Sequence, residues 1–133
     1  MRPETLLDFM GVAEHLKCNM RHSRMTDHRR ESVAEHTYRL CVFAWLVKEE
    51  FPDCDMDKVM KMCLFHDLGE ALTGDIPAFV KTDDDRETEG DALTLLTAML
   101  PGKERQELDE LFGELEREET MEAKIVHALD KME

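Results

Sequence analysis

A chain of 133 residues can bury one hydrophobic core and is too short for two domains. Its net charge of −14 argues against nucleic acid or an anionic membrane as a broad-surface partner. Leu, Met, Ala, Glu and Lys dominate, and only six glycines and four prolines are present, which excludes a turn-rich β-sandwich. The expectation is one all-α domain over residues 1–133, a compact bundle of about six helices.

In chain order, Thr5 to about Lys17 is predicted as an amphipathic helix with Leu6, Phe9, Met10, Ala13 and Leu16 on one stripe. Asn19 to Arg30 has no apolar periodicity and is predicted as a loop. Ser32, with Glu35 three residues on, forms a capping box for a helix from Val33 to about Glu50, stopped by Phe51-Pro52-Asp53. Asp55 or Asp57 caps the next helix, predicted to run unbroken to about Leu72. Thr73 to Asp85 is a connection broken by Gly74 and Pro77. Helices are then expected from about Arg86 to Leu100, from Lys103 to Glu118, and from near Thr120 to the end, the last with Glu122 as a box-like acid.

No apolar run approaches the roughly 20 residues of a membrane span, and the N-terminus carries acids within its apolar stretch, unlike a signal peptide. Cys18, Cys41, Cys54 and Cys63 form no CxxC pair and read as free thiols, Cys41 and Cys63 facing the core. The expected compartment is the cytoplasm, with neither membrane nor nucleic acid as partner.

Charge is unevenly spread. From His15 to Arg30 five Lys/Arg stand against one acid, giving +4, so the rest of the chain carries −18. Such a segment either offers a small anion a local site or balances acidic helices beside it.

Four side chains are hard to explain as packing. Leu64-Phe65-His66-Asp67-Leu68 places an imidazole and a carboxylate in an apolar helical run, where charge is costly unless paired or metal-bound. On a helix these neighbours point about 100° apart, so one ion could reach both only between their faces. His36 lies on the preceding helix, within Glu35-His36-Thr37, and Asp130 on the last, beside Ala128 and Leu129. A lone helical histidine is often only a hydrogen-bonded core residue. Two imidazoles and two carboxylates together suit one divalent transition ion (Co, Mn, Fe, Ni or Zn) better than calcium.

The order His36, His66-Asp67, Asp130 resembles the HD-domain superfamily of metal-dependent phosphohydrolases. Leu16-Lys17 followed by Arg21, then Glu31 to His36, His66 to Glu70, and Gly74-Asp75-Ile76 are similar to its 5′-deoxynucleotidase branch of bacterial YfbR-like enzymes and relatives of the eukaryotic HD-domain-containing protein 2. The resemblance implies that His36, His66, Asp67 and Asp130 bind the metal and that Glu70 is the acid/base. It implies Asp75 near the site, positioning sugar or water, and Arg21, with Lys17 beside it, holding the substrate phosphate. The substrate it implies is a nucleoside 5′-monophosphate. Bacterial members place a tryptophan after that arginine to shape the sugar pocket, and His22 stands there here. Family members often dimerise, so a homodimer is also expected. They also continue well beyond the metal-binding aspartate, so a chain ending three residues after Asp130 reads as C-terminally truncated. Rival readings keep the fold but change the chemistry: a nucleotide pyrophosphohydrolase or phosphodiesterase, or an HD domain that binds without turnover.

Overall fold

The computed structural model describes residues 1–74 and 83–133, apart from the side chain of Arg86. Six helices of ten or more residues lie among the described residues: α1 (Pro3–Ala13), α3 (Val33–Leu46), α4 (Met56–Phe65), α6 (Asp83–Ala98), α7 (Gly102–Arg117) and α8 (Met121–Met132). Two single-turn helices complete the set, α2 (His15–Cys18) and α5 (Glu70–Thr73). The expected all-α bundle is thus observed, and two of the departures from it touch the site.

The first departure is the segment predicted as a loop. It is an antiparallel hairpin of β1 (Met20–Arg24) and β2 (Arg30–Ser32), irregular between the pairs Met20–Ser32 and Arg24–Arg30. Its strands carry no apolar alternation, so periodicity could not announce them. They are held instead by backbone pairing and by Arg30, whose Nε donates to the Arg21 carbonyl at 2.9 Å. The turn closes on Asp27, whose carboxylate accepts the Arg29 N–H at 3.0 Å.

The second is the long helix expected to reach Leu72. It ends at Phe65, and residues 66–69 form a tightened turn before α5. Leu68 N donates to Phe65 O at 3.0 Å and Glu70 N to Asp67 O at 3.0 Å, the three-residue spacing of a 3₁₀ turn. Gly69 lets this turn pack tightly on α6, since a Cβ there would lie 3.2 Å from Leu93 Cδ2.

Other boundaries follow their caps. The Ser32/Glu35 capping box forms as expected, with Glu35 N donating to Ser32 Oγ and Ser32 N to Glu35 Oε1. Asp55 caps α4 through Lys58 N–H. Thr120 caps α8 through Ala123 N–H, whereas Glu122 makes no box and accepts the Asp55 N–H instead. The first predicted helix divides at Glu14 into α1 and α2, and the helix predicted to Glu50 ends at Leu46, followed by a 3₁₀ turn at Lys48–Glu50. Of the predicted 73–85 connection, residues 75–82 lie outside the described residues.

The core is built where α3, α4, α7 and α8 meet. Leu40 and Ala44 on α3, Val59 and Met62 on α4, Leu111 on α7 and Val126 on α8 are all buried. The outer face of α3 is different: Tyr38, Val42, Trp45 and Leu46 are exposed, and Lys48 Nζ lies 4.7 Å from the Trp45 ring centroid. No described helix is long and apolar enough to cross a membrane.

Candidate metal centre

Four predicted ligands converge from three places in the chain. His36 projects inward from α3, His66 and Asp67 from the tight turn after α4, and Asp130 from α8. One ligand atom from each lies within 4.8 Å of all the others. His36 Nε2 is 2.6 Å from Asp130 Oδ1 and 3.7 Å from Asp67 Oδ2; His66 Nε2 is 3.1 Å and 2.9 Å from the same two oxygens. Ligands about 2.1 Å from one ion and at right angles to each other would sit roughly 3 Å apart, so the spacing fits a single divalent cation.

The 3₁₀ turn is what lets two adjacent residues share this point. His66 Nδ1 donates to the Cys63 carbonyl at 2.9 Å, which fixes the tautomer and leaves Nε2 as the inward ligand atom. Asp67 Oδ2 then comes within 2.9 Å of that nitrogen.

His36 is fully buried, and its other nitrogen meets a charged cluster that sequence reasoning did not foresee. Nδ1 lies 2.5 Å from Glu133 Oε2 and 2.5 Å from Arg21 Nη1. It cannot donate to one and accept from the other at once. With a metal bound, Nε2 would keep its lone pair for the ion and the proton would sit on Nδ1, given to Glu133. Arg21 is then anchored by Glu31, at 2.6 Å, and by Glu133, at 3.8 Å. Glu31, His36 and Glu133 could also group around a cation, but the Arg21 guanidinium already supplies that charge. Glu31 and Glu133 are isolated acids in sequence, and only the fold brings them together.

The electrostatics agree with a cation-seeking site. Burial works to lower the pKa of His66, but Asp67 and Asp130 outweigh it and hold the imidazole well above its usual value. Burial opposes ionisation of Asp130 as well, yet His36 and His66 keep its carboxyl well below the usual range. His36 is likewise raised: burial lowers it and Arg21 opposes its charge, but Asp130 and Glu133 prevail. The acids draw positive charge into the site, and a metal would have to displace protons to take it.

The cluster opens on a cleft of about 640 Å³ between α5, α6, α7 and α8, lined in part by His66, Asp67, Glu70 and Asp130. Its volume suits a small-molecule ligand. Glu89, Asp109, Glu116 and Glu118 add further acid, and no Lys or Arg is among its described walls. An anion entering there needs the metal for its charge.

The remaining predicted residues are spread more widely. Glu70 lines the cleft from the first position of α5. Arg21 lies on the Nδ1 side of His36, away from Nε2. Lys17 lines a separate concavity with Glu31, Tyr38 and Arg39. His22 is exposed on β1, on the strand face opposite Arg21. Asp75 lies outside the described residues. His127, one turn before Asp130, is tied to the Leu115 carbonyl at 2.9 Å and stands outside the ligand group. All four cysteines are free; Cys63 is buried and Cys41 half-buried, as expected. Burial pushes the Cys63 thiol up to about 12.

Known proteins place this geometry. The chain is 36% identical over 107 residues to the human protein named 5′-deoxynucleotidase HDDC2, covering 79% of this chain and 52% of that one. It is 33% identical to the Xenopus laevis protein of the same name, over 98% of this chain and 66% of the relative. The chain therefore spans about half the length of the first of these curated relatives. Among solved structures, a "predicted metal-dependent phosphohydrolase" of Magnetospirillum magnetotacticum MS-1 superposes with a TM-score of 0.89 at 31% identity, covering 99% of this chain and 69% of that one. The HD domain profile matches residues 13–133, and with His36, His66-Asp67 and Asp130 gathered at one point the chain belongs to the HD domain family.

Proposed function

We propose that this chain is a metal-dependent phosphomonoesterase that hydrolyses (deoxy)nucleoside 5′-monophosphates to nucleoside and phosphate. The observation that carries the reading is the convergence of two imidazoles and two carboxylates on the edge of an acidic cleft that Glu70 also lines. The names of the curated relatives supply the substrate class. When bound, a divalent ion would supply Lewis acidity to a phosphate oxygen and make a water more acidic. The mixed nitrogen and oxygen set favours Mn, Co, Fe, Ni or Zn.

In the reaction a P–O bond forms to water as the P–O5′ bond breaks, and the water gives up a proton while the nucleoside oxygen gains one. Glu70 moves that proton. Arg21, one imidazole away from the ligand point, turns from Glu31 toward the phosphate, with Lys17 adding charge behind it. Asp75 positions the sugar or the water, and His22 borders the sugar. The net charge of −14 supports a small-molecule substrate over a polyanion and no membrane partner. We further propose a homodimer, as members of the family often form, acting in the cytoplasm.

The test is phosphate release from ribo- and deoxyribonucleoside monophosphates with Mn, Co, Mg, Zn or EDTA. Metal-dependent release is expected from the 5′-monophosphates, and Glu70→Gln should lower kcat by about 10²–10⁴-fold with the metal retained. Asp67→Asn should lose the metal itself. Unchanged release in either variant overturns the reading, and release of pyrophosphate or of a nucleotide product would move it to another HD chemistry. Comparing His22→Trp with the parent on ribose and deoxyribose substrates tests the sugar assignment.

A further inference from the structure

α5 is one turn long, starts without a side-chain cap, and follows a run of three-residue hydrogen bonds. One turn of helix does not hold itself in water. Glu70, its first residue, must nevertheless be aimed into the cleft if it handles a proton. Two side chains more than fifty positions away supply what α5 lacks. Asn19 Nδ2 donates to the Glu70 carbonyl at 2.6 Å, and His15 Nδ1 donates to the Ala71 carbonyl at 3.1 Å. The Glu70 carbonyl also accepts the Gly74 N–H at 2.8 Å, so the turn is closed from within and clamped from without. The Asn19 backbone reaches the other way: its carbonyl accepts the Val33 N–H at 2.9 Å, at the first residue of α3 and three before His36.

We propose that Asn19, with His15 beside it, is a positioning residue that fixes Glu70 relative to the metal-binding His36 by tying α5 to the start of α3. No motif of the sequence pointed to either residue. The inference rests on Glu70 acting in the reaction proposed above. The clamp itself is a matter of hydrogen bonding that can be read without turnover.

Asn19→Asp is nearly isosteric but replaces the donor with a carboxylate facing a carbonyl; His15→Phe removes the second donor and leaves Asn19 intact. Hydrogen exchange of both variants should show faster exchange over residues 70–74, with α4 and α8 unchanged. For Asn19→Asp, kcat should fall about ten-fold while KM and bound metal stay within about two-fold. The same substitution made in Glu70→Gln should cost nothing further, because a clamp that acts through Glu70 has nothing left to position. Asn19→Gln, which keeps an amide donor, should recover part of the loss. Unchanged exchange over 70–74 in both variants overturns the clamp, and so does a kcat loss that adds fully to that of Glu70→Gln. If the parent protein hydrolyses no nucleoside monophosphate, the functional reading alone fails, and exchange still decides the clamp.

Discussion

His36 and Asp130 stand on long helices whose inward faces are closed by Leu40, Ala44, Val126 and Leu129, and His36 itself is fully buried. Glu70 stands on a single turn held by two side-chain hydrogen bonds from α2 and its flank. One half of the site is set by close packing, which resists displacement because filled interiors lack room to shift. The other half is set by directional bonds, each contributing only about 1 kcal/mol net. The comparison teaches that metal binding and proton handling here should fail under different kinds of substitution.

The largest expected effect breaks the packed half. Leu40→Ala, at a fully buried position between α3 and α4, should cost about 2–5 kcal/mol in chemical denaturation and lower metal retention with it. A cost below about 1 kcal/mol would mean that α3 is not held as described. Next comes Glu133→Gln, which weakens the partner of His36 Nδ1 and frees Arg21 on one side. Metal affinity should drop about 10–100-fold by calorimetry, and the metal-free protein should lose stability as well, because a buried carboxylate paired with His36 and Arg21 is neutralised. Equal affinity would show that Glu133 does not orient the imidazole.

The smallest effect sharpens the contrast at the junction of the two halves. Ser32→Ala removes the cap at the start of α3 and should cost about 1 kcal/mol. Its partner Glu35 is pulled down to about 2, chiefly by its hydrogen bond with Arg29 and then by Ser32. Because the folded value lies below the ordinary 4.5, the stabilisation is present above pH 4.5 and is lost as pH falls through about 2. Denaturation midpoints of Glu35→Gln should therefore differ from the parent at pH 6 and converge with it toward pH 2. A constant difference would assign the effect to packing.

What could be read from the sequence follows the same division. His66-Asp67 and Asp130 stood out because charge lay beside apolar helical residues, a local conflict that burial makes costly, and the resemblance to the HD-domain superfamily added His36 and made the four one ligand set. The caps at Ser32, Asp55 and Thr120 were visible for a similarly local reason. The hairpin was not, since Met20–Arg24 has neither apolar alternation nor a glycine-based turn and depends on long-range partners. The break at His66 was hidden because most residues from Leu64 to Leu72 favour helix, and the close packing of Gly69 on Leu93 is a contact that only the fold makes. Glu31, Glu133, His15 and Asn19 act through contacts 10 to 97 positions apart, which no spacing rule encodes.

Trp45 is the chain's only tryptophan, and it lies on the outer face of α3, 56% exposed and beside Lys48. Its emission should change little between folded and unfolded protein and hardly at all when a metal enters on the other side of the helix. Intrinsic fluorescence is therefore a poor reporter for this molecule. Circular dichroism of its helices, or a tryptophan newly placed at Phe112 in the cleft wall, would follow what Trp45 cannot see.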